Sequence, residues 1–265
     1  FEHRNSFALI GAVLAAGSLL GTASQRLQLR PLAQAGLCLA LLAGLATSTL
    51  VRAHSWSSNL LLAKAATKAA PHSARAWVQV CSSEFKAGGG NTANNTRLDQ
   101  AIAACNNGVT LAPYALNNAA LLIVLKTLKG NVTHRDWDLF QRRLEVVQMS
   151  WDNQRAPTIL TYHAQHGVKL DREQLLRTLS TLSRRARLKP FQNAQIGYFV
   201  MNELASPDLA IPYFVAAIQG ASPLDPFPAQ LADELREKGR PDLAKRIERL
   251  ALTRASRPTA NVSPP

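Results

Sequence analysis

Two stretches of the chain carry no charge, and the positions after them alternate apolar and polar at helical spacing. Residues 5–25, between Arg4 and Arg26, and residues 31–51, between Arg30 and Arg52, each run 21 residues without Asp, Glu, Lys or Arg. A helix rises 1.5 Å per residue, so about 20 apolar residues cross a hydrocarbon core roughly 30 Å thick. The spacing predicts a two-helix transmembrane hairpin within residues 1–53, with spans over about 6–24 and 32–51. One such stretch also reads as a buried core helix; two in tandem, both bracketed by Arg, argue against that. From 54 to 255, short periodic blocks closed by Gly or Pro predict an all-α, water-soluble domain of about ten helices. The end, 256–265, holds Pro258, Pro264 and Pro265 and reads as a disordered tail.

The periodic blocks fall into pairs. Residues 74–88 form a first helix with Trp77 at the large core position, Val80 at the next, Cys81 at the small one, and Gly88 closing the turn. A second helix follows over 101–109, with the small residues Ala101 and Gly108 where paired helices approach closely, Cys105 between them, and Pro113 ending the unit. The Gly/Asn-rich segment 89–95 reads as an inserted loop. Pro71 and Pro113 stand 42 residues apart, a tetratricopeptide (TPR) period of about 34 residues plus that loop. On this pattern 56–70 is an upstream helix, 118–128 and 135–149 form a pair, and 193–205 pairs with 208–219 through Ala210, Phe214 and Ala217. The final pair is 229–238 and 241–253. Segments 156–166 and 172–187 read as helical but break the period, so the domain resembles an irregular TPR-like α-solenoid.

Charge changes this picture only modestly. The net charge is +13, which suits nucleic acid, anionic headgroups or a solvated surface. Its one dense run is Arg184-Arg185-Ala186-Arg187-Leu188-Lys189, read here as a solvated helix face. No RNA-binding signature or zinc-finger spacing accompanies it, so nucleic acid is not an expected partner. Between membrane spans and a basic surface, membrane lipid, with an anionic glycan or lipid headgroup, is the expected charged partner.

Candidate chemistry is sparse. Glu2, His3 and Arg4 sit beside the first span. They read either as a lipid-phosphate site, with Arg4 as the anion partner, or as an interfacial anchor in which Arg4 snorkels to the headgroups. His163 and His166 share a helix face at i, i+3, and His134 lies elsewhere; with no carboxylate or Cys at a ligand spacing, no metal and no cofactor are expected. Gly88-Gly89-Gly90 precedes Asn91-Thr92 rather than Gly-Lys-Ser, so it is a turn and not a phosphate cradle. No catalytic residue is assigned. Cys81 and Cys105 fall on facing sides of the paired helices and read either as a disulfide bracketing the loop or as two small buried thiols; Cys38 lies in the middle of a span.

Arg26 and Arg30 in the turn place it in the cytoplasm by the positive-inside rule, and the large domain on the periplasmic side. Glu2-His3-Arg4-Asn5 before a span, the Arg52-Ala53-His54-Ser55-Trp56 transition and the 70–76 junction together resemble the C-terminal end of bacterial polytopic membrane proteins with periplasmic TPR domains. Those in turn resemble GT-C glycosyltransferases that use polyprenyl-phosphate donors. The resemblance implies an inner-membrane protein whose earlier spans precede Phe1 and would carry any catalytic acids. The expected function is a membrane-tethered scaffold in envelope glycan or surface-polymer biogenesis, with a protein or peptide partner on the concave face. The alternative is the C-terminal portion of such a glycosyltransferase.

Overall fold

The computed structural model describes residues 6–26, 28, 30–92, 94–222 and 225–255. The expectations placed on Glu2, His3 and Arg4 and on the tail 256–265 lie outside them. Every regular element among the described residues is helical, and the chain divides between Leu62 and Ala63 into two compact units.

The first unit contains α1 (Ser6–Arg26) and α2 (Pro31–Ser55). Pro31 opens α2 at a position where its missing N–H is no loss. Helix α2 has 25 residues and is apolar enough to cross a membrane; α1 contains the shorter apolar run Val13–Ala23. No residue of α2 is buried, and Leu32, Leu42 and Leu50 are exposed. Apolar side chains exposed along a helix suit an apolar surrounding. The hydroxyls of α2 fit one: Thr47 donates to the Ala43 carbonyl and Thr49 to the Leu45 carbonyl, both at 2.8 Å, so neither presents an unpaired donor outward. Helix α2 continues to Ser55, four residues past the expected span end. A turn at 56–58 then breaks what the sequence suggests is one helix over 56–70, and α3 occupies Asn59–Ala69.

The second unit begins within α3 and holds α4 (Ala74–Ala87), α5 (Leu98–Leu111), α6 (Asn117–Lys129), α7 (His134–Val146), α8 (Trp151–Gln154), α9 (Ala156–Gln165), α10 (Arg172–Arg185), α11 (Pro190–Tyr198), α12 (Pro207–Gly220), α13 (Phe227–Glu237) and α14 (Pro241–Ala255). Starts follow local chemistry: Ser73 accepts from Ala76 N–H, Ser150 from Asn153 N–H and Asp171 from Gln174 N–H, while Thr133 and Asp136 form a reciprocal capping box. Neighbours in sequence pack as pairs, α4 with α5, α11 with α12 and α13 with α14. Helix α6 lies against α4, α5 and α9, and α7 against α10. Residues Asn118 to Leu125 of α6 are all buried, which marks it as the helix the others surround.

The residues expected in the repeat core divide. Val80, Ala101, Cys105, Ala210, Phe214 and Ala217 are buried, as is Gly108, where an added Cβ would stand 2.4 Å from the Asn118 side chain. Trp77 is only half-buried, its indole N–H donating to the Pro71 carbonyl at 2.7 Å, and Ala76 takes the enclosed position instead. Pro113 is exposed: it ends α5 from the surface, because a chain leaving a helix turns toward water. Two elements were not anticipated. The four-residue α8 is too short for periodicity to register, and a π-helical turn, Phe199–Glu203, continues α11 where one regular helix over 193–205 is the sequence expectation.

Cys81 and Cys105 are fully buried and joined by a disulfide with a Cα–Cα distance of 5.2 Å across a separation of 24 residues. Nearby, buried Glu84 of α4 forms ion pairs with Lys64 of α3 at 2.7 Å and with Arg97 at 3.0 Å. Burial raises the Glu84 pKa, and the hydrogen bonds from Lys64 and Arg97 outweigh it, leaving the carboxyl below its usual 4.5.

Alkylation of the unfolded, unreduced chain will label Cys38 alone, and all three cysteines after reduction; the Cys81→Ala/Cys105→Ala variant will lose about 3 kcal/mol of unfolding free energy, since the bridge restricts the unfolded chain. Because the folded Glu84 pKa is depressed, its contribution is present above pH 4.5 and lost as pH falls through the folded value. Glu84→Gln will cost about 2 kcal/mol at neutral pH, with the gap from wild type closing in acid, read as thermal unfolding across a pH series.

Candidate functional site

A groove of about 720 Å³ lies in the second unit, formed by α8, α9, α10, α11 and the π-helical turn. That volume lies within the range of small-ligand sites, about 300–1,000 Å³. Its floor is apolar: Leu179 and Leu182 of α10 and Ile196 and Phe199 are buried. Its rim carries three large rings that remain in solvent, Trp151 at 65%, Tyr162 at 55% and Phe191 at 56% exposure.

Each wall has a local cause. Trp151 is placed by its neighbour Asn153, which is buried. The Asn153 Oδ1 accepts from Leu116 N–H at 3.1 Å, and its Nδ2 donates to the carbonyls of Tyr114 at 3.0 Å and Gln148 at 2.9 Å. One carboxamide thus ties α8 to the entry of α6. On the opposite wall, α11 lies close to α12 because Gly197 leaves room for Phe214; a Cβ there would stand 2.5 Å from the ring. Tyr198, Phe214 and Phe227 form an aromatic cluster behind that wall. Burial, then the charge of Glu234 and a hydrogen bond with it, push the Tyr198 hydroxyl up to about 12.

The π-helical turn brings Asn202 and Glu203 to the groove. Its exit is strained: Ala205 has φ +46°, a left-handed conformation unusual for a residue with a side chain. The corner is held by Ser206, which accepts from Arg172 Nη2 at 2.5 Å, donates to the Leu204 carbonyl at 2.8 Å, and donates its own N–H to the Val200 carbonyl at 3.1 Å.

The 89–95 loop also reaches this region. Gly88 is required by Asn95, whose Oδ1 would stand 1.9 Å from an added Cβ; the Asn95 amide donates to the carbonyls of Phe85 at 2.9 Å and Gly90 at 3.0 Å. Asn91 then latches onto α9: its Nδ2 donates to the His166 carbonyl at 3.3 Å, and its Oδ1 lies 2.9 Å from His163 Nδ1. The donation to a carbonyl sets the carboxamide orientation, so His163 Nδ1 carries the proton. Burial, then the neighbouring His166, lower the His163 pKa below 6.5. His163 thus serves as a groove wall and loop anchor, and Tyr162 stacks on His166 with ring centroids 4.1 Å apart. His134 is the first residue of α7. No group of three metal-ligating side chains occurs among the described residues.

The basic run 184–189 is more than a solvated face. Arg185 Nη1 donates to the carbonyls of Leu144 at 2.7 Å and Val147 at 2.9 Å, at the C-terminus of α7. Arg143 repeats the device, donating to the Val109 carbonyl of α5 at 3.0 Å. A cation at these carbonyls satisfies acceptors that the helix leaves open and complements its dipole.

Of the groove residues, the sequence singles out only His163 for its chemistry. The detectable signal for the rest was aromatic residues at Trp151, Tyr162 and Phe191, which are polar-face positions of their helices. His163 will titrate with a midpoint below 6.5 in a ring-proton NMR series, and Asn91→Ala will move that midpoint upward as its surroundings become wetter.

No protein-family model matches the sequence, and no curated protein is significantly similar to it.

Proposed function

We propose that the protein is a membrane-tethered binding module that serves envelope glycan or surface-polymer assembly, with its large domain on the outer face of a bacterial inner membrane. The observation that carries this reading is the groove over α8–α11, whose rim keeps three aromatic rings in water. Exposed rings are retained where a partner covers them. The helix pairs α4–α5, α11–α12 and α13–α14, with α6 against α9 and α7 against α10, support a TPR-like stacking of repeats, which builds extended binding surfaces.

Two further observations support the placement. Helix α2 is long and apolar enough to serve as a membrane anchor, and with α1 it fits the hairpin that the charge-free stretches suggest. The Cys81–Cys105 disulfide suits an oxidising compartment. Arg26 and Arg30, between the two apolar helices, suit a cytoplasmic turn.

Reporter fusions test the reading. A fusion after Gly220 will report the periplasm and one after Arg30 the cytoplasm. A cytoplasmic Gly220 fusion overturns it.

A further inference from the structure

Building on that reading, we infer that the groove over α8–α11 is a binding site for a neutral oligosaccharide segment, with Trp151, Tyr162 and Phe191 as ring platforms and Gln165, Gln195 and Asn202 as hydroxyl partners.

Three properties of the lining converge on this ligand class. The first is the platforms. Trp151, Tyr162 and Phe191 come from three different helices and are 65%, 55% and 56% exposed around one opening. The face of an aromatic ring is electronegative and attracts polarised C–H groups. A pyranose presents such a C–H face, flat and apolar, with its hydroxyls pointing outward around the edge. Rings spread along a groove suit a chain of sugars better than a single one.

The second property is the hydrogen-bonding complement. Gln165, Gln195 and Asn202 are exposed lining residues whose side chains make no hydrogen bond among the described residues. Each carboxamide offers two donors and an acceptor. A sugar hydroxyl also donates and accepts, so carboxamide and hydroxyl satisfy each other without a charge on either.

The third is electrical. The chain carries a surplus of thirteen positive charges, yet the groove is lined by one guanidinium, Arg155, and one carboxylate, Glu203, as its formally charged groups. A site for lipid phosphate, nucleic acid or an acidic glycan would concentrate cations, and this chain has them to spare. The placement of the π-helical turn agrees, since it brings Asn202 to the rim beside a backbone held in an unfavourable conformation at Ala205; such turns are frequent at functional sites.

The test uses the full chain in lipid nanodiscs free of alkyl maltosides, whose sugar headgroups would compete. Calorimetry is run against chitohexaose, cellohexaose, mannohexaose and an isomaltose oligomer, with hyaluronan oligomers as the acidic comparison and a random peptide library as the other class. Saturable binding of a neutral oligomer, insensitive to salt and weakened about tenfold by Trp151→Ala and by Gln195→Ala, supports the inference. Both side chains are exposed, so unchanged thermal unfolding will separate lost binding from lost folding. The inference is overturned if no neutral oligomer binds at millimolar concentration. It is also overturned if only hyaluronan binds and salt abolishes the binding, or if neutral binding survives both substitutions. Selection of peptides that Trp151→Ala rejects would overturn the glycan while leaving the membrane-tethered module intact; that module fails separately, on the position of the Gly220 fusion.

Discussion

The second unit is organised around a helix whose first turns have no solvent face. Eight consecutive residues of α6, Asn118 to Leu125, are buried, so its whole circumference must be met by other elements. Helices α4 and α5 cover one part of it and α9 another. Two polar groups at its start are answered from distant chain: Asn118 Nδ2 donates to the Ala74 carbonyl, and Leu116 N–H donates to Asn153. Burying backbone polar groups without such partners costs a few kcal/mol each. The requirement explains α8, a single turn whose buried Asn153 closes three hydrogen bonds around the α6 entrance. The rim residue Trp151 sits on the same turn, so the groove inherits its rigidity from the core.

The basic balance of the chain acquires a structural meaning in this arrangement. Arg143 and Arg185 reach back to the terminal carbonyls of α5 and α7, and Arg240 spans from the start of α14 to Asp208 at the start of α12 in a two-pronged contact at 2.7 and 2.8 Å. In a stack of short helices every unit ends in open carbonyls, and long guanidinium side chains from the next element are a ready way to meet them. Lys64 and Arg97 perform a comparable service for the buried carboxylate of Glu84. Part of the positive charge is therefore internal wiring, and none of these cations lines the groove.

The disulfide and the groove are connected through one loop. Cys81 and Cys105 bracket the residues that connect α4 to α5. Asn95 folds that connection against α4, and Asn91 carries it across to α9, where His163 and His166 receive it. A Gly/Asn-rich insertion that reads as slack from composition is thus tied at both ends and contributes to holding the groove wall.

Much of this architecture was legible in the residues. Charge-free runs between Arg4, Arg26, Arg30 and Arg52 mark apolar helices, because desolvating a charge is too costly for one to remain in such a stretch. Gly, Pro and capping residues mark the helix boundaries, and the small residues Ala101 and Gly108 mark a close helix contact, since those are consequences of local stereochemistry. The tertiary structure alone decided that the first turns of α6 are enclosed on all sides, that Pro113 faces water, that Ala76 and not Trp77 fills the core, and that α11 loosens into a π-helical turn. It also decided the groove. Trp151, Gln195 and Asn202 are ordinary surface residues in sequence, because burial, hydrogen-bond partners and shared solvent are properties of residues distant along the chain and become defined only when the helices pack.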